Sequence, residues 1–510
     1  MNNASHKKLI TEIALPCEVA DVIDKLRTAG HEAYAVGGFV RDILGGKKPH
    51  DWDVTTSANP EEIMKLFSDS FYENKFLTVT VKTGASDPIL KEIEVTTFRA
   101  EGKYTDKRHP DKVRFAKTLK EDLSRRDFTI NAMALSPEPI TKKSQSSAIH
   151  IIDPFGGQED LKKKIIRAVG NPEKRFAEDA LRMLRAVRLA AELECAIEEK
   201  TFAAIKRLAN TLEYIAKERI RDEFIKIVAT ARAKEGIELL HETELLRYSI
   251  PELEEGVGVE NRPRVFTIWE HNVKALEYGA KQGFPIDVRI AALLHDVAKP
   301  RTKGPMKRGE WTFYGHDVVG GKMAAQILAR LHFPRETVEK IATLIRWHLF
   351  KYDLDVDDEI TTDSSIRRLV RRVGPENMKD LVLLRICDRM GMGVPKAIPY
   401  RLRHFQFRVE KILREEEAPT PKMLKTKGED VMRILEIQPG PKIGHVIEVL
   451  LQEVIDDPAR NMREILEKRI QELGKLSDEK LVSIAKEAEE KVELAENERV
   501  SSLKSKYYVK

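Results

Sequence analysis

The chain has 510 residues, 42% apolar and 34% charged, enough for several domains with separate cores. Its 88 basic and 83 acidic residues leave a net charge of +5, which suits a polyanionic partner without requiring one. Three scattered cysteines, Cys17, Cys195 and Cys387, form no CxxC pair and exclude a disulfide framework or a zinc ribbon; with no signal-peptide core and no run long enough to cross a bilayer, a cytoplasmic location is expected.

In chain order, DVIDKLRTAG reads as a helix closed by Gly30, EAYAVGG as a strand entering a glycine turn, and FVRDILGG as a short helix. PHDWDVTT (49–56) reads as a strand in which Asp51 and Asp53 share one face while Trp52 and Val54 point into the core. Pro60 opens a further helix, and KEIEVTTFRA and SAIHIIDPF read as strands. From about Asn171 strand signals nearly vanish, and helical spacing, as in AEDALRMLRAVRLAAEL, continues to the end. The fold class is therefore α+β: a mixed sheet with helices at the N-terminus, then all-α segments.

Several groups carry chemistry. Gly37 and Gly38 let the backbone approach a ligand, the helix after them presents free N–H groups, and Arg41 adds a planar fork for phosphate oxygens. Such a cradle beside Asp51 and Asp53 implies Mg²⁺, which binds through one or two carboxylates and substrate phosphates. Glu94, in the strand after them, is the candidate third carboxylate; an ordinary exposed strand glutamate is the alternative. In EDALR, Asp179 and Arg182 lie three apart, expected on one helix face. A carboxylate accepting from an exocyclic amino group and a guanidinium donating to a ring nitrogen would accept C and A and reject U and G; a structural ion pair is the alternative.

GGFVRD, HDWDVTT, RRDFTINAMAL (125–135), DPFGG (153–157), EDALRMLRAVR (178–188) and ERIRDEF (218–224) occur in this order and together resemble the class II tRNA nucleotidyltransferases, the CCA-adding enzymes and related bacterial poly(A) polymerases. The resemblance implies an N-terminal nucleotidyltransferase head and places Arg126, Asp127 and Asn131 at the nucleotide's sugar. It assigns base reading to Asp179 and Arg182, with Arg185 and Arg188 extending that face. DPFGG is expected to be a hinge between head and neck.

His271, the His295–Asp296 pair, His316, His348 and Asp388 follow within helical segments. The pattern resembles HD-type metal-dependent phosphohydrolases, which implies His271, His295, Asp296 and Asp388 as ligands of a divalent metal of unspecified identity, with His316 and His348 lining the site or binding a second metal.

Basic residues with Tyr104 and Phe115 interleaved (99–126), and again at 399–414, suit an RNA 3′ end. The expected organisation is 1–170 catalytic head, 171–255 helical neck for nucleotide base and RNA, 256–400 HD domain, 401–470 helical tail contacting tRNA, and 471–510 a charged helical or flexible tail. The expected function is template-independent addition or repair of the tRNA 3′-terminal CCA from CTP and ATP, with an HD phosphohydrolase. An A-adding specialist or a poly(A) polymerase shares the motifs, and a hydrolase acting mainly through the HD site is the reading from another class. The unshortened segment between Glu94 and RRD argues against a CC-only enzyme.

Overall fold

The computed structural model describes residues 9–10, 15–49, 51–73, 78–100, 114–137, 149–262, 265–352, 363–394, 396–417, 424–477, 479–484, 486–487, 505–506 and 508. Tyr104 and residues 101–113 of the first basic stretch lie outside these. The chain forms two compact units: residues 1–346 with 387–394, and residues 347–386 with 395–510.

The first unit begins with an eight-stranded mixed sheet. Its strands are β1 (Leu9–Ile10), β2 (Ala33–Val36), β3 (Asp53–Thr56), β4 (Ser70–Glu73), β5 (Thr78–Lys82) and β6 (Glu92–Thr97); after a two-stranded pair, β7 (Arg99–Ala100) and β8 (Arg114–Phe115), come β9 (Ala134–Pro137) and β10 (Ile149–Ile152). The order is β1-β10-β9-β2-β3-β6-β5-β4, antiparallel except for the parallel pair β3–β6. Helix α1 (Cys17–Thr28) buries Val19, Val22, Ile23 and Leu26, the helical spacing that its sequence announced, and Gly30 follows at φ 91°. Helix α2 (Gly38–Leu44) follows β2 directly, and α3 (Pro60–Leu66) starts with Pro60 inside an Asn59–Glu62 capping box. Trp52 and Val54 join the head core with Phe39 and Ile63, which fixes the side of the chain from which Asp53 projects. The strand itself starts at Asp53, so Asp51 sits in the extended approach to it.

Helix α4 (Leu119–Ser124) leads to the buried turn Thr129–Asn131, and α5 (Gly157–Lys162) follows β10. In DPFGG, the segment expected to be a hinge, the closing glycine is packed closely. Asp153 accepts hydrogen bonds from the N–H groups of Gly157 (2.8 Å) and Gln158 (2.9 Å), and a Cβ on Gly157 would stand 2.2 Å from the Thr129 carbonyl oxygen.

The neck comprises α6 (Pro172–Glu178), α7 (Leu181–Leu193), α8 (Glu199–Leu208), α9 (Lys217–Ala229), α10 (Ala233–Glu242) and α11 (Leu246–Ser249). Helix α10 crosses α9 and α7 closely because Gly236 has no side chain: a Cβ there would lie 2.5 Å from an Ile227 methyl and 3.4 Å from Ala191. Next come α12 (Ile268–Lys281), α13 (Ile286–Leu294), α14 (Lys299–Thr302), a short hairpin (Gly304–Lys307 with Glu310–Thr312), α15 (His316–Arg330) and α16 (Arg335–Trp347). Helices α12 and α13 pack together, their buried faces carrying Trp269, Val273, Leu276, Ile290 and Leu294.

Residues of the second unit form α17 (Asp363–Val373), the first part of α18 (Met378–Gly391), α19 (Tyr400–Glu417), α20 (Gly428–Leu435), α21 (Pro441–Asp456) and α22 (Arg463–Gly474). Within it Phe350 stacks on Phe405 (4.7 Å between centroids), and one apolar core joins Leu424, Val431, Leu450, Ile470 and Leu481.

Candidate active site and a second metal centre

The parallel pairing of β3 with β6 sets Asp53 directly opposite Glu94. Residues paired across a ladder project to the same face, so the two carboxylates are neighbours. Asp51 lies close enough to act on Asp53 electrostatically. Burial pushes the Asp53 carboxyl up to about 7; Asp51 and Glu94 push the same way, and Arg126 opposes them. Three carboxylates converging with so little compensation make a natural cation site. Gly37 is required here in two ways. Its φ is 114°, and a Cβ would lie 2.5 Å from Asp53 Oδ2.

A cleft of about 540 Å³ opens beside these carboxylates. Its lining includes Gly37, Gly38, Arg41, Asp51, Asp53, Arg126, Asp127, Asn131, Asp179, Arg182, Arg185 and Arg188, so the structure gathers every nucleotide-site candidate named from the sequence. Arg125, Arg219 and Lys226 line it as well. The excess of guanidinium groups suits a polyphosphate.

The polar groups are ordered by one another. Arg41 donates to Asp42 (2.8 Å) and to Asn131 Oδ1 (2.9 Å), Asn131 donates to Asp127 (3.1 Å), and Arg185 donates to Asp127 (2.8 Å). This chain ties α2, the Thr129–Asn131 turn and α7 together. Burial would raise the Asp127 carboxyl, but Arg185, the hydrogen bonds from Asn131 and Arg185, and the field of Arg182 together hold it far below the usual range. Arg188 pairs with the buried Glu223 at 2.9 Å.

The expected helical Asp179–Arg182 face takes another form. Helix α6 stops at Glu178, and Asp179 is extended (φ −144°, ψ 107°). Its side chain accepts from the Leu181 N–H at 3.0 Å, a capping role that favours aspartate at a helix start over a position within one. Asp179 pairs with Arg219 at 2.7 Å, and Arg182 pairs with Glu178 at 2.6 Å and donates to the Arg125 carbonyl at 3.1 Å. Both still face the cleft. Arg219 is not among the site residues expected from the sequence, although it is the first of the two arginines in ERIRDEF.

The second centre is built by α12, α13, α15 and the end of α18. His271 Nε2 lies 3.0 Å from His295 Nε2, 3.3 Å from Asp296 Oδ2 and 3.3 Å from Asp388 Oδ1. His295 Nε2 is 3.3 Å from Asp296 and 3.5 Å from Asp388. Two imidazole nitrogens and two carboxylate oxygens thus converge on one buried point, the donor set of a divalent metal. The outer atoms of the histidines are oriented by backbone: His295 Nδ1 lies 2.8 Å from the Ala292 carbonyl oxygen, and His316 Nδ1 lies 2.5 Å from that of Phe313. His316 Nε2 is 3.4 Å from the other Asp296 oxygen, and Lys299 Nζ is 2.6 Å from Asp296. The sequence reading had passed over Lys299, one turn beyond the HD pair. His348, just past α16, belongs to the second unit. The last turn of α18 can approach α12 because Gly391 packs on His271, where a Cβ would be 2.9 Å from the backbone oxygen.

A mixed-sheet head with clustered carboxylates, an arginine-lined cleft under a helical neck, and a His–Asp metal centre define a metal-dependent nucleotidyltransferase joined to an HD domain. Family models agree: residues 33–167 match the poly A polymerase head domain, 195–256 the probable RNA and SrmB-binding site of polymerase A, and 268–392 the HD domain. The chain is 32% identical over 458 residues to the CCA-adding enzyme of Enterococcus faecalis, covering 88% of this chain and 94% of that protein. It is 46% identical over 233 residues to that of Ligilactobacillus salivarius, a match that spans 44% of this chain and about half (53%) of that relative. Among solved structures it resembles the Bacillus stearothermophilus CCA-adding enzyme in complex with CTP, with a TM-score of 0.54 and 28% identity over 89% of this chain and 96% of that one. The chain belongs to the CCA-adding enzyme family.

Proposed function

We propose that this protein builds or repairs the 3′-terminal CCA of tRNA in the cytoplasm, without a nucleic-acid template. The observation that carries the reading is the juxtaposition of Asp51, Asp53 and Glu94 with a cleft that also holds Asp179 and Arg182. Asp51 and Asp53, with Glu94 beside them, would hold Mg²⁺, and the chemistry it would supply there is Lewis-acid stabilisation of the attacking 3′-oxygen and of the leaving pyrophosphate. Gly37 and Gly38 admit the triphosphate, and Arg41 offsets its charge. Arg126, Asp127 and Asn131 orient the sugar. Asp179 and Arg182 read the Watson–Crick edge of C or A by exchanging Arg219 and Glu178 for the base.

In this reading residues 1–170 carry catalysis, 171–255 base and RNA contact, 256–400 a phosphohydrolase centred on His271, His295, Asp296 and Asp388, and 401–470 a further tRNA contact. Near-full-length similarity to a CCA-adding enzyme favours this over a poly(A) polymerase. The test uses tRNAs ending before CCA, after C and after CC, with each nucleotide alone and then all four. Stepwise incorporation of C, C and A is expected. Incorporation only after CC would reduce the assignment to A addition, and no incorporation into any tRNA would remove it.

A further inference from the structure

A second cavity, of about 820 Å³, adjoins the nucleotide cleft and has no part in the roles assigned above. Arg41, Asp42 and Glu192 line both, so the two spaces meet between α2 and α7. Both helices run from one space into the other. Along α7, Arg182, Arg185 and Arg188 face the cleft in turn, Glu192 marks the junction, and Leu193 faces the cavity; along α2, Gly38 faces the cleft and Leu44 the cavity. The far wall is α5, with Lys162 in its last turn and Lys164 just beyond. Carboxylates in the cavity are already engaged: Asp42 by Arg41 at 2.8 Å, Asp153 by the first N–H groups of α5, Glu159 by Lys163 at 3.1 Å, and Glu192 and Glu194 more loosely by Arg188 and Lys164, each at 3.8 Å. Among the described residues, the Lys47 and Lys162 side chains pair with no carboxylate. Burial raises the Cys195 thiol at the cavity wall, and Lys164, Lys47 and Arg41 act against that rise, so three cations lie within electrostatic reach of one buried side chain.

With the base at Asp179 and Arg182, the sugar at Asp127 and Asn131, and the phosphates at Gly37, Gly38 and Arg41, the far end of a triphosphate points at this junction. Transfer breaks the bond between the α-phosphorus and its bridging oxygen as the bond to the RNA 3′-oxygen forms, and pyrophosphate leaves with the electron pair. In an in-line displacement it leaves on the side opposite the RNA end. We propose that the cavity is the departure site of pyrophosphate, which passes from Arg41 to Lys47, Lys162 and Lys164. A small polyanion without a base suits a space whose lysines are paired loosely or not at all. Drawing the product past Arg41 clears the cleft for the next nucleotide and keeps pyrophosphate from attacking the new bond. The proposal rests on the cleft binding a nucleoside triphosphate for transfer.

The test is equilibrium binding of radiolabelled inorganic pyrophosphate to full-length protein in Mg²⁺ buffer. The cleft is first filled with a CTP analogue whose α- and β-phosphorus atoms are bridged by a methylene group, which cannot be transferred. Wild-type protein should bind pyrophosphate beside the analogue. Exchanging Lys47, Lys162 and Lys164 together for Gln should weaken that binding about tenfold and leave the affinity for the analogue unchanged. Exchanging the same three for Arg should restore it. In turnover, pyrophosphate should inhibit CTP incorporation by the Gln variant about tenfold less strongly than by wild type, with kcat/KM for CTP unaltered. No pyrophosphate bound beside the analogue, equal binding by wild type and the Gln variant, or a matching loss of analogue affinity would each overturn the departure site alone. Wild-type protein that neither binds the analogue nor incorporates CTP overturns the nucleotide reading of the cleft and this proposal with it.

Discussion

Asp53 shows how a single side chain is poised by its neighbours. Its strand is anchored by Trp52 and Val54 in the core, its partner across the ladder is Glu94, and Arg126 opposes its neighbours' charge. Substituting Asp51 or Asp53 by Ala should lower nucleotide incorporation by at least about a hundredfold. Hydrolysis at the HD centre should be unchanged, as assays of both activities on one preparation will show. Asp122 has the opposite setting. Burial alone would raise its carboxyl, but Arg125, Arg126 and the Arg99 N–H outweigh burial and hold it below the ordinary value. A depressed folded-state pKa means a stabilisation fully present above the unfolded value, about 3.9, and lost as pH falls through the lower folded value. Asp122→Asn should therefore cost about 1–3 kcal/mol near neutral pH, with the gap to wild type closing below about pH 4 in urea titrations. At this scale the sequence was most informative about which residues matter. HDWDVTT and EDALR named residues that line one cleft, because short motifs fix their own spacing, and the His/Asp series named His271, His295, Asp296, His316 and Asp388, whose side chains lie together. It was least informative about partners. The pairs Asp179–Arg219 and Asp127–Arg185 join residues far apart in the chain, and no local spacing encodes them.

Elements are positioned by what their glycines leave out. Gly157 faces a backbone oxygen that cannot move without breaking the Thr129–Asn131 turn, whereas Gly236 faces the methyl of Ile227, a side chain able to shift slightly. Gly236→Ala should therefore cost about 1–3 kcal/mol, and Gly157→Ala distinctly more, with greater loss of incorporation, in parallel melts and activity assays. The helices of the neck were legible because long apolar periodicity leaves little ambiguity; the break at Asp179 was not, since Glu-Asp-Ala-Leu-Arg is as good a helix interior by composition as a helix junction. The hairpin at 304–312 was missed for a related reason: strands of four and three residues, GPMK and EWT, carry too little alternation to register.

Over the whole molecule the two candidate centres share the first unit but not their ligands. Asp388→Ala should reduce tightly bound divalent metal, measured by elemental analysis of dialysed protein, and abolish HD hydrolysis while leaving CCA incorporation intact. Loss of both activities would show that the centres are coupled. Three of the HD ligands lie in the chain's first long excursion through this unit, and the fourth arrives only when residues 387–394 return to it. The order of synthesis acquires meaning from that path. At about 5–20 residues per second, His271, His295 and Asp296 leave the ribosome several seconds before Asp388 does. Any folding of the head and neck during that interval proceeds without the fourth of the proposed HD ligands.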